Sequence, residues 1–141
     1  MAITKIIAIR DRLDKRINYA VNGEKTTPDA GITYATNLEK TEQHFFTSVL
    51  NCESCETAYA EMQATKQRFS KLGGVVGYHF IQSFAPGEVT PKQAHTIGVA
   101  FAQRLFDDRY EVVIGTHLDK AHLHNHVVVN SVSFVDGKKY H

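Results

Sequence analysis

The sequence predicts an α+β fold: a central, mostly antiparallel sheet with helices packed on it. Three observations carry this. Apolar spacing switches between a period of two and a period of three to four, giving the order β-α-β-α-β-α-β-β. Turn and cap residues fall where the period changes, at Asn22-Gly23, Gly73-Gly74 and Thr90-Pro91. The last two strand segments are joined only by "LDKA", residues 118–121, which suits an antiparallel hairpin and is too short for a parallel crossover.

Each element follows from its residues. Residues 2–9 alternate around Ile3, Ile7 and Ile9 and read as a strand. The next segment puts Leu13, Ile17, Ala20 and Val21 on one helical stripe, ended by Asn22-Gly23. Residues 24–44 are polar and turn-rich, with room for a short strand at "GITYAT"; "FFTSVLN" is the better strand. Ser54 is placed to cap a long helix with Cys55, Ala58, Met62, Thr65, Phe69 and Leu72 on its stripe, stopped by Gly73-Gly74. "VVGYHFIQSF" is rich in β-branched and aromatic residues and reads as a strand. Thr90, Pro91 and Gln93 form a capping box opening a helix whose stripe is Ala94, Ile97, Phe101 and Leu105. "YEVVIGTH" and "HLHNHVVVNSVSF" are the hairpin strands, and Asp136-Gly137 marks a second turn. The strand returning from it has barely begun at His141, so residues 1–141 read as a single domain from the N-terminal part of a longer protein.

A chain 43% hydrophobic and 22% charged, with a net charge of +1, is an ordinary globular protein without a global basic field. Its charge is uneven: Lys5, Arg10, Arg12, Lys15, Arg16 and Lys25 face only Asp11, Asp14 and Glu24 within the first 25 residues, which allows a local basic face. No apolar run is long enough to span a membrane, "MAITKIIAIR" is too short for a signal peptide, and two cysteines without an export signal suggest a reducing cytoplasm.

The chemistry concentrates in "GTHLDKAHLHNHVVVN". Alternate residues of a strand share a face, about 7 Å apart, so His122, His124 and His126 lie on one side while Leu123, Val127 and Val129 lie on the other. His117 ends the preceding strand, where a tight hairpin brings it beside them. Two imidazoles from one strand and a third from its neighbour can converge on one cation and leave positions open for a substrate oxygen. Asp119 sits where it could orient a ligand histidine or take a proton. The same run, "HLHNHVV", also resembles the histidine-triad nucleotide hydrolases, in which a histidine attacks phosphate without a metal; Asn125 departs from that pattern, and His117 and Asp119 would then have no role.

Tyr19 points about 140° away from the apolar stripe of its helix, beside Arg12 and Arg16. A phenol with an ordinary pKa near 10 is about one part in a thousand ionised at neutral pH, a cost of about 4 kcal/mol that a nearby base or cation can offset.

Three motifs together resemble the relaxase/mobilisation nucleases of conjugative plasmids and integrative elements, the HUH endonucleases of the MOBP type. They are "RINYAVNGEKT", with a tyrosine in an N-terminal helix, "YHFIQSFAPGEVTP", and the most specific, "HLDKAHLHNHVVVN". The resemblance implies an HUH relaxase-like palm whose tyrosine attacks a phosphodiester of single-stranded origin-of-transfer DNA. That leaves a 5′-phosphotyrosyl link and a free 3′-hydroxyl, later resealed. It assigns Tyr19 as nucleophile and His117, His124 and His126 as ligands of a divalent cation, foremost Mn²⁺ or Mg²⁺, with Zn²⁺, Ni²⁺ and Co²⁺ also compatible. Asp119 and His122 match supporting positions, and either could be the base. Arg12, Arg16, Asn22 and Lys25 are weaker candidates for DNA contact. Accessory relaxosome and coupling proteins, a bacterial cytoplasmic location and export of the protein–DNA adduct follow from the same resemblance. A non-catalytic DNA-binding relaxase fragment is the remaining alternative.

Other features read as structure. Cys52-x-x-Cys55 has zinc-knuckle spacing without a second pair, so core packing explains it; Gly73-Gly74 ends a helix. Phe45 and Phe46 read as buried strand residues, while Lys138 and Lys139 either touch phosphate or lie in a wet hairpin.

Overall fold

The computed structural model describes residues 3–23, 43–119 and 122–140. Lys25 and the expected strand at "GITYAT" lie outside them. The elements are β1 (Ile3–Ile9), α1 (Leu13–Asn22), β2 (Gln43–Leu50), α2 (Ala58–Arg68), β3 (Gly77–Ser83), α3 (Pro91–Phe106), β4 (Val112–Asp119) and β5 (His122–Asn130).

The strands form one five-stranded sheet in the order β1-β3-β5-β4-β2. Every neighbouring pair is antiparallel, as the short 118–121 connection requires of β4 and β5. The histidine strand β5 is therefore the centre of the sheet, flanked by β3 and β4. Helices cover both faces. On one, Leu13, Ile17 and Ala20 of α1 join Ala58 and Met62 of α2 against Val113 and Val128. On the other, Ala102 and Phe106 of α3 pack with Phe80, Val112, Ile114, Val127 and Val129. Each large side chain buried this way contributes roughly 1.5–3 kcal/mol.

α3 opens as its sequence dictates: Thr90 Oγ1 accepts from Gln93 N at 3.1 Å, and Gln93 Oε1 accepts from Thr90 N at 2.9 Å. Its buried stripe differs from the expected one. Ala94, Gly98, Ala102 and Phe106 face the sheet, whereas Ile97 and Leu105 are 39% and 41% exposed. Small residues at four-residue spacing let the helix lie close to the strands, so that the Asn125 amide donates to the Ala94 carbonyl at 2.6 Å.

α2 begins three residues later than the Ser54 cap implies. Ser54 Oγ instead accepts from Thr57 N at 3.1 Å, closing the turn ahead of the helix. Leu72 lies beyond the helix end and is exposed, and Phe46 is exposed against the His95 ring rather than buried. Beyond β5, Val132 pairs with Lys139 in a single bridge around the Asp136-Gly137 turn.

A polar cluster fastens the end of the sheet remote from the β4–β5 turn. Lys66 Nζ donates to Asn130 Oδ1, Asn130 Nδ2 donates to Glu111 Oε1 at 2.9 Å, and Thr65 Oγ1 donates to Glu111 Oε2 at 2.9 Å. All four side chains are buried. Burial lowers the Lys66 ammonium to about 8 and raises the Glu111 carboxyl, which is the desolvation expected of charges held away from water.

Candidate functional site

The β4–β5 register sets His117 opposite His124 and Gly115 opposite His126. The β3–β5 register sets Ser83 opposite His124 and Ile81 opposite His126, with His79 one step further along the same face. The histidines thus converge on the face covered by α1.

What lets α1 come so close is Gly115. A Cβ added there would lie 1.7 Å from the Ala20 carbonyl oxygen, so only glycine admits the end of the helix. Seated in that notch, the Ala20 carbonyl accepts from His117 Nε2 at 2.8 Å. Gly23 then ends the helix at φ 77°, its amide donating to the Tyr19 carbonyl at 2.8 Å.

The same seat places Tyr19 over the histidines. Its half-buried ring stands edge-on to His126 at 4.9 Å between centroids, 5.6 Å from His117 and 6.4 Å from His79. His117 and His126 lie 4.7 Å apart, and His126 stacks on His124 at 6.1 Å. The side of the helix that the apolar stripe leaves out is therefore turned toward the imidazoles.

Each of the three expected ligands has one ring nitrogen tied to the protein. His117 uses Nε2 on Ala20, His124 meets Ser83 Oγ through Nδ1 at 3.2 Å, and His126 meets His79 Nε2 through Nδ1 at 2.9 Å. The nitrogen opposite each tie is the one that could take a cation, an arrangement usual for metal-bound imidazoles. His126 Nε2 is buried without a hydrogen-bond partner among the described residues, a cost that a bound cation would remove. Among the described residues, however, no group of three or more His, Cys, Asp or Glu side chains is already drawn together tightly enough to hold a metal.

Burial keeps the inner imidazoles neutral. Desolvation first, then Arg16 and His117, push His79 down to about 4. Desolvation and the neighbouring histidines push His126 down to about 2. Neutral imidazole is the form that ligates metals. The Arg16 guanidinium lies on His79, its NH1 3.1 Å from Nδ1.

The remaining expected residues lie around this centre. His122 is exposed at the start of β5, with Nδ1 3.4 Å from the Phe84 carbonyl oxygen and its ring 6.5 Å from His124. Asp119 ends β4, its backbone paired with His122. Arg12 forks onto Asp14 at 2.8 and 2.9 Å on the exposed start of α1, and Asn22 is exposed at its end. His79, within the strand "VVGYHFIQSF", lies directly against His126, and Gly115 is absent from the sequence reading. Alternation along "GYHFIQS" was the available signal for His79, whereas nothing local distinguishes Gly115 from a strand glycine of no consequence.

On the opposite face a chain of hydrogen bonds backs the hairpin. Ser48 Oγ meets His95 Nε2 at 2.6 Å, His95 Nδ1 meets Thr116 Oγ1 at 2.8 Å, and Thr116 Oγ1 donates to Asn125 Oδ1 at 2.7 Å. Asn125 Nδ2 donates in turn to Gln82 Oε1 at 3.0 Å. Thr116 and Asn125 are the pair next to His117 and His124, so this chain pins the register on which the site depends.

Residues 34–141 of this five-stranded antiparallel fold match the relaxase family, MobA/VirD2-like nuclease domain, and the chain belongs to that family. The matched span contains the histidine hairpin and begins after Tyr19. Among curated proteins, the chain is 38% identical over 118 residues to a protein rlx of Staphylococcus aureus, covering 84% of this chain and 35% of that relative. A second rlx protein of Staphylococcus aureus is 41% identical over 93 residues, 66% of this chain and 29% of its own length. The group II intron-interrupted relaxase LtrB of Lactococcus lactis subsp. cremoris is 40% identical over 84 residues, 55% of this chain and 15% of its own length. The chain thus spans about a third or less of the curated relatives it matches. Family membership decides between the two resemblances of the histidine run in favour of the relaxases. No helix among the described residues is long and apolar enough to cross a membrane.

Proposed function

We propose that this domain nicks single-stranded DNA at an origin of transfer, with Tyr19 as nucleophile, and reseals it during conjugative transfer. One observation carries the reading: the Tyr19 ring lies edge-on to His126 at 4.9 Å and 5.6 Å from His117, on an element fixed to the sheet one residue further along. The Tyr19 oxygen forms a bond to phosphorus as the bond from phosphorus to the 3′-oxygen breaks. The phenolic proton passes to Asp119 or His122, and the departing 3′-oxygen takes up a proton to become a hydroxyl. The product is a 5′-phosphotyrosyl link that the 3′-hydroxyl reverses on resealing.

His117, His124 and His126 would hold a divalent cation through the nitrogens opposite their protein ties. The unpartnered Nε2 of His126 and the neutral state of its ring suit that role. When bound, the cation supplies positive charge to phosphate oxygens as charge builds in the transition state. A ligand set of imidazoles suits Mn²⁺, Zn²⁺, Ni²⁺ or Co²⁺ better than Mg²⁺, and Mn²⁺ is the first to try. The chain's own residues position the strand: α1 presents Tyr19, while Arg12, Arg16, Asn22 and Lys25 meet the backbone. Accessory relaxosome and coupling proteins would act with it in a bacterial cytoplasm, from which the adduct is exported.

The test is a denaturing gel with labelled single-stranded DNA from the transfer origin of its own element. With Mn²⁺ a covalent adduct is expected, and both EDTA and Tyr19→Phe should abolish it. An adduct that survives Tyr19→Phe would refute the assignment of the nucleophile.

A further inference from the structure

Around His126 the hydrogen bonds impose an order of protons that conflicts with metal ligation. Arginine has donors only. With Arg16 NH1 3.1 Å from His79 Nδ1, that nitrogen accepts, and the neutral His79 ring carries its proton on Nε2. His79 Nε2 lies 2.9 Å from His126 Nδ1 and therefore donates to it. His126, neutral as well, is left with its proton on Nε2, the buried atom that has no partner among the described residues. A protonated ring nitrogen offers no lone pair to a cation. The reverse order, with His126 Nδ1 donating to His79, would set an N–H of His79 against the guanidinium.

We propose that Arg16 and His79 are positioning residues that set the tautomer of His126. While Arg16 rests on His79, the ligand nitrogen is capped by a proton, and metal uptake requires the guanidinium to leave. The exchange balances without net protons. His79 Nδ1 gains a proton, His79 Nε2 passes its own to His126 Nδ1, and His126 Nε2 loses one through water. The competitor that draws Arg16 away is a phosphodiester, which guanidinium binds through paired, charge-assisted hydrogen bonds. Arg16 stands one turn before Tyr19 on α1, so the group that approaches the nucleophile is also the group that releases the ligand. This deepens the nicking reading and rests on His126 as a ligand.

Calorimetric titration of Mn²⁺ into the full chain tests it. Arg16→Met removes the donor, and Arg16→Gln supplies an amide oxygen able to accept from His79 Nδ1; both should bind Mn²⁺ about tenfold or more tighter than the unaltered protein. Arg16→Lys keeps a donor-only cation and should bind like the unaltered protein. Saturating single-stranded poly-dT, with binding followed by anisotropy, should tighten Mn²⁺ binding in the unaltered protein and not in Arg16→Met. Nitrogen NMR of the metal-free protein should find His126 protonated on Nε2, shifting to Nδ1 in Arg16→Gln, a signature that a merely structural role for Arg16 would not produce. Unchanged affinity in Arg16→Met and Arg16→Gln, with binding lost in His126→Ala, would overturn the positioning role while His126 stands as ligand. So would tight binding by Arg16→Lys, or poly-dT without effect. Mn²⁺ binding that persists in His126→Ala, or none in any form, would overturn the ligand reading itself.

Discussion

Gly115→Ala is the smallest change that should separate Tyr19 from the histidines it faces. The added Cβ would fall 1.7 Å from the Ala20 carbonyl oxygen, so the end of α1 has to retreat by roughly 2 Å to reach ordinary contact distance. Two costs follow. Overpacking of this kind is worth about 1–3 kcal/mol, and losing the His117–Ala20 hydrogen bond adds about 1 kcal/mol. Together they should lower the melting temperature by on the order of 10 °C for a chain of this size. The catalytic effect is larger, because Tyr19 rides on the residue before the seat, and a displacement near 1 Å can cost about a hundredfold in rate. Calorimetric melting would read the first consequence and the rate of covalent adduct formation the second. A variant that melts within a degree or two of the unaltered protein would refute the close seat of α1. One that melts lower yet forms adduct at the normal rate would refute the need for Tyr19 to be held there.

Three further outcomes are expected. In chelator-treated protein, His79 and His126 stay neutral in the fold but protonate once unfolded, since their folded values of about 4 and about 2 lie below 6.5. Their contribution is complete above the unfolded value and is lost as pH falls, through about 4 for His79 and about 2 for His126. Urea titrations at pH 7 and pH 5 should therefore differ by about 2 kcal/mol for each histidine, and equal stability at the two values would contradict their burial as neutral rings. Asn130→Ala strands a buried lysine and a buried carboxyl together and should cost about 3 kcal/mol or more in the same assay; a loss below 1 kcal/mol would show that water reaches them. Thr90→Ala breaks the capping box of α3 and should cost about 1 kcal/mol while leaving adduct yield unchanged, both read on one preparation.

The architecture was legible because strand and helix periods are local properties, and a four-residue connection admits only an antiparallel hairpin. The α3 capping box was legible for the same reason. The stripe of α3 was not: hydrophobicity favours Ile97 and Leu105, but how closely a helix may approach a sheet is decided by the partner surface, and Asn125 and its neighbours call for alanine and glycine. In the site, alternation placed His124 and His126 on one face, and the hairpin placed His117 beside them. Tyr19 lies off the buried stripe of α1, and it meets a wall of imidazoles that no spacing within the helix could reveal. Gly115 and the Arg16–His79 contact depend on residues far apart in sequence, and the single chain offers no local sign of either.

The bond from His117 to the Ala20 carbonyl closes a loop of 97 residues. Tyr19 thus leaves the ribosome well before the histidines it faces. At roughly 5–20 residues per second, on the order of 5–20 seconds separate the two. During that interval Tyr19 lacks the strands that seat its helix, and under the nicking reading it is harmless to any DNA nearby. Completion of the central strand, rather than synthesis of the tyrosine, is the moment at which the site comes into being.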